Sequence, residues 1–270
     1  MKKLKVGIIG CGAIGTEIAK ACRTKLKRSV ELAAICDIDD KKSGALKKIL
    51  KNKVPVTGMD ELIRRSGLVI EAASAKISGS ILERCVKNRR DIMVMSVGGL
   101  LGREDLLKAA EKKGVKVHIP SGAVCGIDGL KSASMGRIDS VTLTTRKPPK
   151  GLEGAPYLKK RSMDIGKITS ETTVFCGNAE DAIEGFPQNI NVSAVLSLAG
   201  IGARRTRVRI VTSPDYTRNI HEVEIKGQSG RITTRTENVP SEANPKTSSL
   251  AIFSAIATLE GITRNIRIGT

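Results

Sequence analysis

The feature that most restricts the fold is Gly10-Cys11-Gly12-Ala13-Ile14-Gly15, a G-x-G-x-x-G set between the apolar run Leu4 to Gly10 and a stretch of helical periodicity over residues 13–27. The pattern becomes specific through its surroundings: a strand before it, a helix after it, and an acidic residue where the next strand ends. Asp37 lies in the apolar run Val30 to Ile38, 22 residues after Gly15. Gly10 permits a tight turn, Gly12 lets the backbone approach a pyrophosphate, and Gly15 lets helix and strand close on each other. Ala13 and Ile14 open the helix, whose N-terminal N–H groups attract phosphate. Asp37 can accept hydrogen bonds from both ribose hydroxyls, which favours NAD, while Lys41 and Lys42 close behind it leave NADP open.

Strands and helices go on alternating after this point. A lysine-rich helix over 40–52, an extended piece at Val54 to Val56 and a helix over Met59 to Arg65 lead to a strand, Leu68 to Ala73. A helix over 78–88, a strand from Asp91 to Val97, a helix over 103–113 and a strand from Val115 to Ile119 follow. This spacing predicts a parallel, doubly wound Rossmann sheet over residues 1–120, within an α/β fold. Ligands of such sheets bind beyond the C-terminal strand ends. Small residues stand there: Ala72-Ala73-Ser74, Ser96-Val97-Gly98-Gly99 and Pro120-Ser121-Gly122-Ala123. Ala73 and Ser74 are candidate cofactor contacts.

After Pro120 the period changes to two, in Ser140 to Arg146, Thr206 to Ser213 and Ile220 to Ile225, the last joined by a turn at Gln228-Ser229-Gly230 to Arg231–Thr236. Alternation of this kind belongs to a sheet with one wet face. Residues 121–245 are therefore expected as an α+β sheet domain, with an apolar helix from Asn189 to Leu198. Residues 246–270 carry a helix with an apolar face on Leu250, Ile252, Phe253, Ile256 and Leu259, expected to pack back on the first domain. Of the two histidines, His118 reads as a satisfied strand histidine. His221, at the start of a second-domain strand, is placed to do acid–base work, for which imidazole has a suitable pKa. Asn189 and Asn191, after Gly185-Phe186-Pro187, can cap a helix or bind a cofactor amide.

The chain carries 46 Lys and Arg against 27 Asp and Glu, a net charge of +19. Three Phe, two Tyr and no Trp leave little for base stacking, so an anionic small molecule fits better than specific nucleic-acid binding. No apolar run approaches the ~18 residues of a membrane span, and the basic start lacks a signal-peptide core, so a cytoplasmic protein is expected. The six cysteines are scattered without a CxxC pair, which argues for buried free thiols and no metal site.

Taken together, the segments Val6–Gly15, Glu71–Ser74, Met95–Leu100, His118–Ala123, Gly185–Val192, Asn219–Val223 and Asn244–Ser248 resemble the L-aspartate dehydrogenases of archaea and some bacteria, across nearly the whole chain. The resemblance implies NAD(P)-dependent oxidative deamination of L-aspartate to iminosuccinate for NAD biosynthesis. It implies His221 as the active-site histidine, cofactor contacts from Ala123 and from Asn189 or Asn191, a homodimer, and a second domain like that of dihydrodipicolinate reductase. Two alternatives are weaker. A dihydrodipicolinate reductase would carry adjacent histidines, which are missing here, and an NAD(H)-sensing nucleic-acid binder has only the basic charge in its favour.

Overall fold

A computed structural model describes residues 2–187, 191–242 and 244–270. The chain forms two compact units, Met1–Pro120 with Ile252–Arg267, and Ser121–Ala251 with Ile268–Thr270.

The first unit runs β1 (Leu4–Ile9), α1 (Ala13–Arg23), β2 (Val30–Cys36), α2 (Asp40–Ile49), α3 (Met59–Arg65), β3 (Leu68–Glu71), α4 (Ala75–Lys87), β4 (Asp91–Val94), α5 (Glu104–Lys112) and β5 (Val117–His118). Its five strands pair in the order β2-β1-β3-β4-β5, all parallel, as the alternation predicts. Val6 and Ile8 of β1 are fully buried, as expected of a strand covered on both faces. The helix α2 starts where the Asp39 side chain accepts from Lys41 N (2.9 Å) and ends before Lys51 and Asn52, both left-handed. The strands β3 and β4 are shorter than their apolar runs. Past Glu71 and Val94 the chain leaves the ladder, and the fully buried Glu71 carboxylate takes over, accepting from Ala73 N (2.8 Å) and Ser96 N (2.9 Å).

The second unit contains α6 (Ile127–Ala133), β6 (Ile138–Lys147), α7 (Pro156–Lys160), β7 (Thr172–Asn178), α8 (Ala179–Gly185), α9 (Asn191–Ala199), β8 (Thr206–Thr212), β9 (Asn219–Gly227), β10 (Gly230–Asn238), β11 (Pro240–Ser241) and β12 (Asn244–Ser248). The main sheet is ordered β10-β9-β6-β8-β7, mixed, with only β6 and β8 parallel. In β8, Val208 and Ile210 are buried while Arg207 and Arg209 are exposed, the alternation of a one-sided sheet. The strand β7 escapes sequence reading because its register shifts between Thr173 and Phe175, so Val174 and Phe175 are buried in succession and the period is lost. Short helices α6, α7 and α8 were likewise not anticipated. Tyr157, Phe175 and Phe186 form an aromatic cluster with centroids 5.1 to 5.5 Å apart.

The chain closes with α10 (Ser249–Thr263), whose Ala255 and Leu259 are fully buried in the first unit's core with Val6, Ile8 and Ile18. Ile252 is buried too, but Phe253, expected on the same face, is 63% exposed. The stripe runs 252–255–259, and Phe253 stands about 100° from it. Cys11, Cys22 and Cys85 are buried, whereas Cys125 and Cys176 are exposed, a correction to the expectation of buried thiols throughout. Among the described residues no helix is long and apolar enough to cross a membrane, and no three His, Cys, Asp or Glu side chains are grouped to hold a metal ion.

Candidate active site

The glycine-rich loop has the shape its sequence demands. Gly10 has φ +102°, and a Cβ there would run into the Ala72 carbonyl. A Cβ on Gly15 would strike the Gly10 carbonyl, so α1 sits directly on the loop. Gly12 differs: a Cβ there meets nothing within 4 Å. Gly12 is also the N-cap of α1, with no side-chain cap among the described residues and no acidic residue in the first turn, so Ala13 and Ile14 begin a helix whose first N–H groups are not capped by a described side chain. By contrast, α2 and α8 are capped by Asp39 and Asn178. Asp37 Oδ2 accepts from Cys11 N (2.6 Å) and Oδ1 from Asp39 N (2.9 Å), which holds the carboxylate against the loop with a lone pair left on each oxygen. Ile38 beside it is fully exposed, an apolar surface suited to a base. A bare helix N-terminus, a glycine facing open space and an anchored acid fit a dinucleotide.

At the end of β3, Ala73 and Ser74 are exposed. Burial pushes the Glu71 carboxyl pKa up, opposed by hydrogen bonds from Ser96, Ala73 and Ser74. Sequence reasoning overlooked Glu71 as the organiser of these strand ends. Its position as the last residue of an otherwise apolar strand was the available signal.

In the second unit His221 is 7% exposed, on β9 opposite Thr145 of β6, with Nδ1 3.0 Å from Thr145 Oγ1. On its other side the register partner is Thr236 of β10, whose Oγ1 lies 3.2 Å from both the His221 and Ala123 carbonyls. Asn238 Nδ2 donates to the same Ala123 carbonyl (3.0 Å). Ala123 and His221, 98 residues apart, are thus tied to one threonine. A cavity of about 10 Å³, the size of one water, lies between Thr145, Ser193 and Phe186.

Burial, and then the charge of Lys147, push the His221 pKa down to about 3, so the ring is neutral at physiological pH. Burial pushes the Lys147 pKa down to about 8. Neither Thr145, Thr236 nor Lys147 could be singled out from sequence, because only strand register brings them to His221. Asn191 opens α9 on the surface, and Asn189 lies outside the described residues. His118 lies in β5, in the first unit. Its buried Nε2 has no hydrogen-bond partner among the described residues, against the expectation of a satisfied ring, and burial pushes its pKa down.

Comparison with known proteins agrees with this layout. Residues 10–120 match the family described as homoserine dehydrogenase, NAD binding domain, and residues 128–262 match aspartate dehydrogenase, C-terminal. An L-aspartate dehydrogenase of Methanosarcina barkeri is 46% identical, covering 99% of this chain and 100% of its own. One from Nitrosopumilus maritimus is 39% identical, with 98% and 99% covered. The crystal structure of aspartate dehydrogenase from Thermotoga maritima superposes with a TM-score of 0.77 at 25% identity, covering 99% of this chain and 100% of that one. The scyllo-inositol dehydrogenase of Lactobacillus casei with NAD(H) and scyllo-inositol, at 16% identity and TM-score 0.57, shares the fold alone.

Proposed function

The chain belongs to the L-aspartate dehydrogenase family, and from that premise we propose that it oxidises L-aspartate to iminosuccinate with NAD or NADP as cofactor, supplying NAD biosynthesis. The observation that carries the reading is the buried His221 held by Thr145 and joined through Thr236 to Ala123. Gly10, Gly12, Ala13, Ile14, Gly15 and Asp37 hold the cofactor's pyrophosphate and ribose. Ala73, Ser74, Ala123 and an asparagine of the 189–191 segment complete its contacts. Asp37 repels a 2′-phosphate, which favours NAD.

Oxidation removes a hydride from C2 of L-aspartate and protons from its nitrogen, leaving a C=N bond. A bound nicotinamide supplies the hydride acceptor. His221 serves the nitrogen's proton, directly or through an oriented water. When its Nδ1–H donates to Thr145 Oγ1, Nε2 keeps its lone pair for that proton. Its low proton affinity rises when two substrate carboxylates arrive, because opposite charge favours the imidazolium. Water then hydrolyses released iminosuccinate to oxaloacetate and ammonia.

The test is NADH formation from L-aspartate, with L-glutamate, L-alanine and D-aspartate in parallel. Selective turnover of L-aspartate is expected, and silence with all four while NADH still binds would overturn the substrate assignment. His221→Ala should lower kcat by about 10²–10⁴-fold, and near-normal turnover would remove His221 from the mechanism. Family membership also supports a cytoplasmic homodimer of 28.8 kDa chains, which light scattering checks.

A further inference from the structure

The first unit has a second opening, at the end of its sheet away from the cofactor loop. A cleft of about 630 Å³ is lined there by Lys2, Lys3, Arg28 and Arg264, with Leu4 and Ile262, half-buried against the core, as its apolar part. All of these residues belong to the first unit, and no described acidic side chain lines the cleft. The volume is that of a small-molecule site. Its walls come from three chain segments tied to one another: Leu4 N donates to the Ser29 carbonyl (2.9 Å), and Thr263 Oγ1 donates to Ser29 Oγ (3.3 Å), a hydroxyl pair that also lines the cleft. Arg264 is paired with Glu260 (2.7 Å) at the negative end of α10. Lys2, Lys3 and Arg28 have no ion-pair or hydrogen-bonded side-chain partner among the described residues. A concave surface carrying charge of one sign focuses its field and concentrates counter-ions. Leu4 and Val30 begin β1 and β2, whereas Gly10 and Asp37 follow their ends, so the six residues of β1 set the cleft about 17 Å from the cofactor loop.

We propose that this cleft binds a small polyphosphate anion, either free or as the phosphate chain of a nucleotide. Three unmatched cations call for about three negative charges gathered on few atoms, and phosphate oxygens accept strongly from ammonium and guanidinium groups. The Ser29 and Thr263 hydroxyls add donors for further phosphate oxygens. A dicarboxylate carries only two charges and leaves a cation unmatched. Leu4 and Ile262 distinguish the two sources: a nucleoside has apolar surface to lay on them, and a free phosphate chain has none.

The experiment is isothermal titration of the full chain, saturated with NADH, in about 150 mM KCl, where surface charge is screened beyond about 8 Å. The titrants are tripolyphosphate, ATP, adenosine and succinate. Tripolyphosphate should bind once per chain with Kd below about 100 μM, and adenosine and succinate at least about tenfold more weakly. ATP tighter than tripolyphosphate identifies a nucleotide as the ligand; ATP equal or weaker identifies the free phosphate chain. Replacing Lys2, Lys3 and Arg28 together by Gln should weaken tripolyphosphate about thirtyfold or more. Replacing Lys108, Lys112 and Lys113 by Gln removes the same charge from exposed positions on α5 and should change the affinity less than about threefold. Equal weakening by the two triple variants would overturn the proposal, because net charge alone would then hold the anion. No binding of tripolyphosphate, or its displacement of NADH, would overturn it as well. Should the first triple variant fail to fold, Arg28→Gln alone is read against Lys112→Gln, with a loss of about fivefold or more expected.

Discussion

Acid should unfold this protein through His221 in particular, and the size of the effect follows from its burial. The ring is neutral in the folded chain, with its pKa pushed down from 6.5 to about 3, and it takes up a proton in the unfolded chain below pH 6.5. The unfolded state therefore binds more protons between those values. The stabilisation is fully present above about pH 6.5 and is lost progressively as pH falls toward 3. Each unit of separation is worth about 1.4 kcal/mol, so the full loss approaches about 5 kcal/mol, and the part falling between pH 7 and pH 5 is about 2 kcal/mol. Urea unfolding of the unaltered protein and of His221→Asn at both pH values isolates this share, because Asn does not titrate. The unaltered protein should lose about 2 kcal/mol more than the variant over that interval. With only two histidines, proton NMR of the ring C2–H signals reads the same quantity directly, the variant assigning the peaks. Equal losses in the two proteins, or a His221 signal titrating near its ordinary value, would refute the argument that burial and the Lys147 charge keep the ring neutral.

The cofactor loop and the core offer three more tests. Gly12→Ala adds a methyl that meets none of the described residues within 4 Å, so Tm should stay within about 2 °C while NADH affinity, measured by fluorescence quenching, falls about tenfold or more. Asp37→Ser removes the charge that repels a 2′-phosphate, and the ratio of kcat/KM for NADP to that for NAD should rise by about tenfold or more. Leu259→Ala should cost about 2–5 kcal/mol in urea unfolding, because the side chain is fully buried in the first unit's core.

How far the molecule can be read from its sequence depends on the range of the interactions concerned. The loop from Gly10 to Gly15 and the acid at Asp37 are local features whose spacing carries their geometry, and the parallel strands announce themselves as unbroken apolar runs. Helix ends set by single conformations, such as the left-handed Lys51 and Asn52, move the boundaries by only a few residues. The strand β7 is lost to a bulge that cancels its period, and Phe253 faces water where a simple apolar stripe would bury it. The surroundings of His221 are different in kind. Thr145 lies 76 residues away from it, and a threonine in an alternating run looks like any other until β6 and β9 are paired. Lys147 is one cation among many, separated from Arg146 only by which face of the sheet it leaves. Those identities are properties of register, and register depends on the whole sheet.

The burial of Leu259 and Ala255 among Val6, Ile8 and Ile18 has a consequence for the protein's synthesis. A ribosome finishes the first unit's sheet at Pro120 and then makes the whole of Ser121–Ala251 before the helix that covers part of that core exists. At about 5–20 residues per second, the interval is roughly 7–26 s. During that time the nascent sheet presents apolar surface that its own chain has not yet covered. Chaperones that shield such surface on the ribosome should engage this protein after β5 emerges and release it only when α10 arrives. A chain shortened before Ile252 would have no release step and would remain a client for degradation.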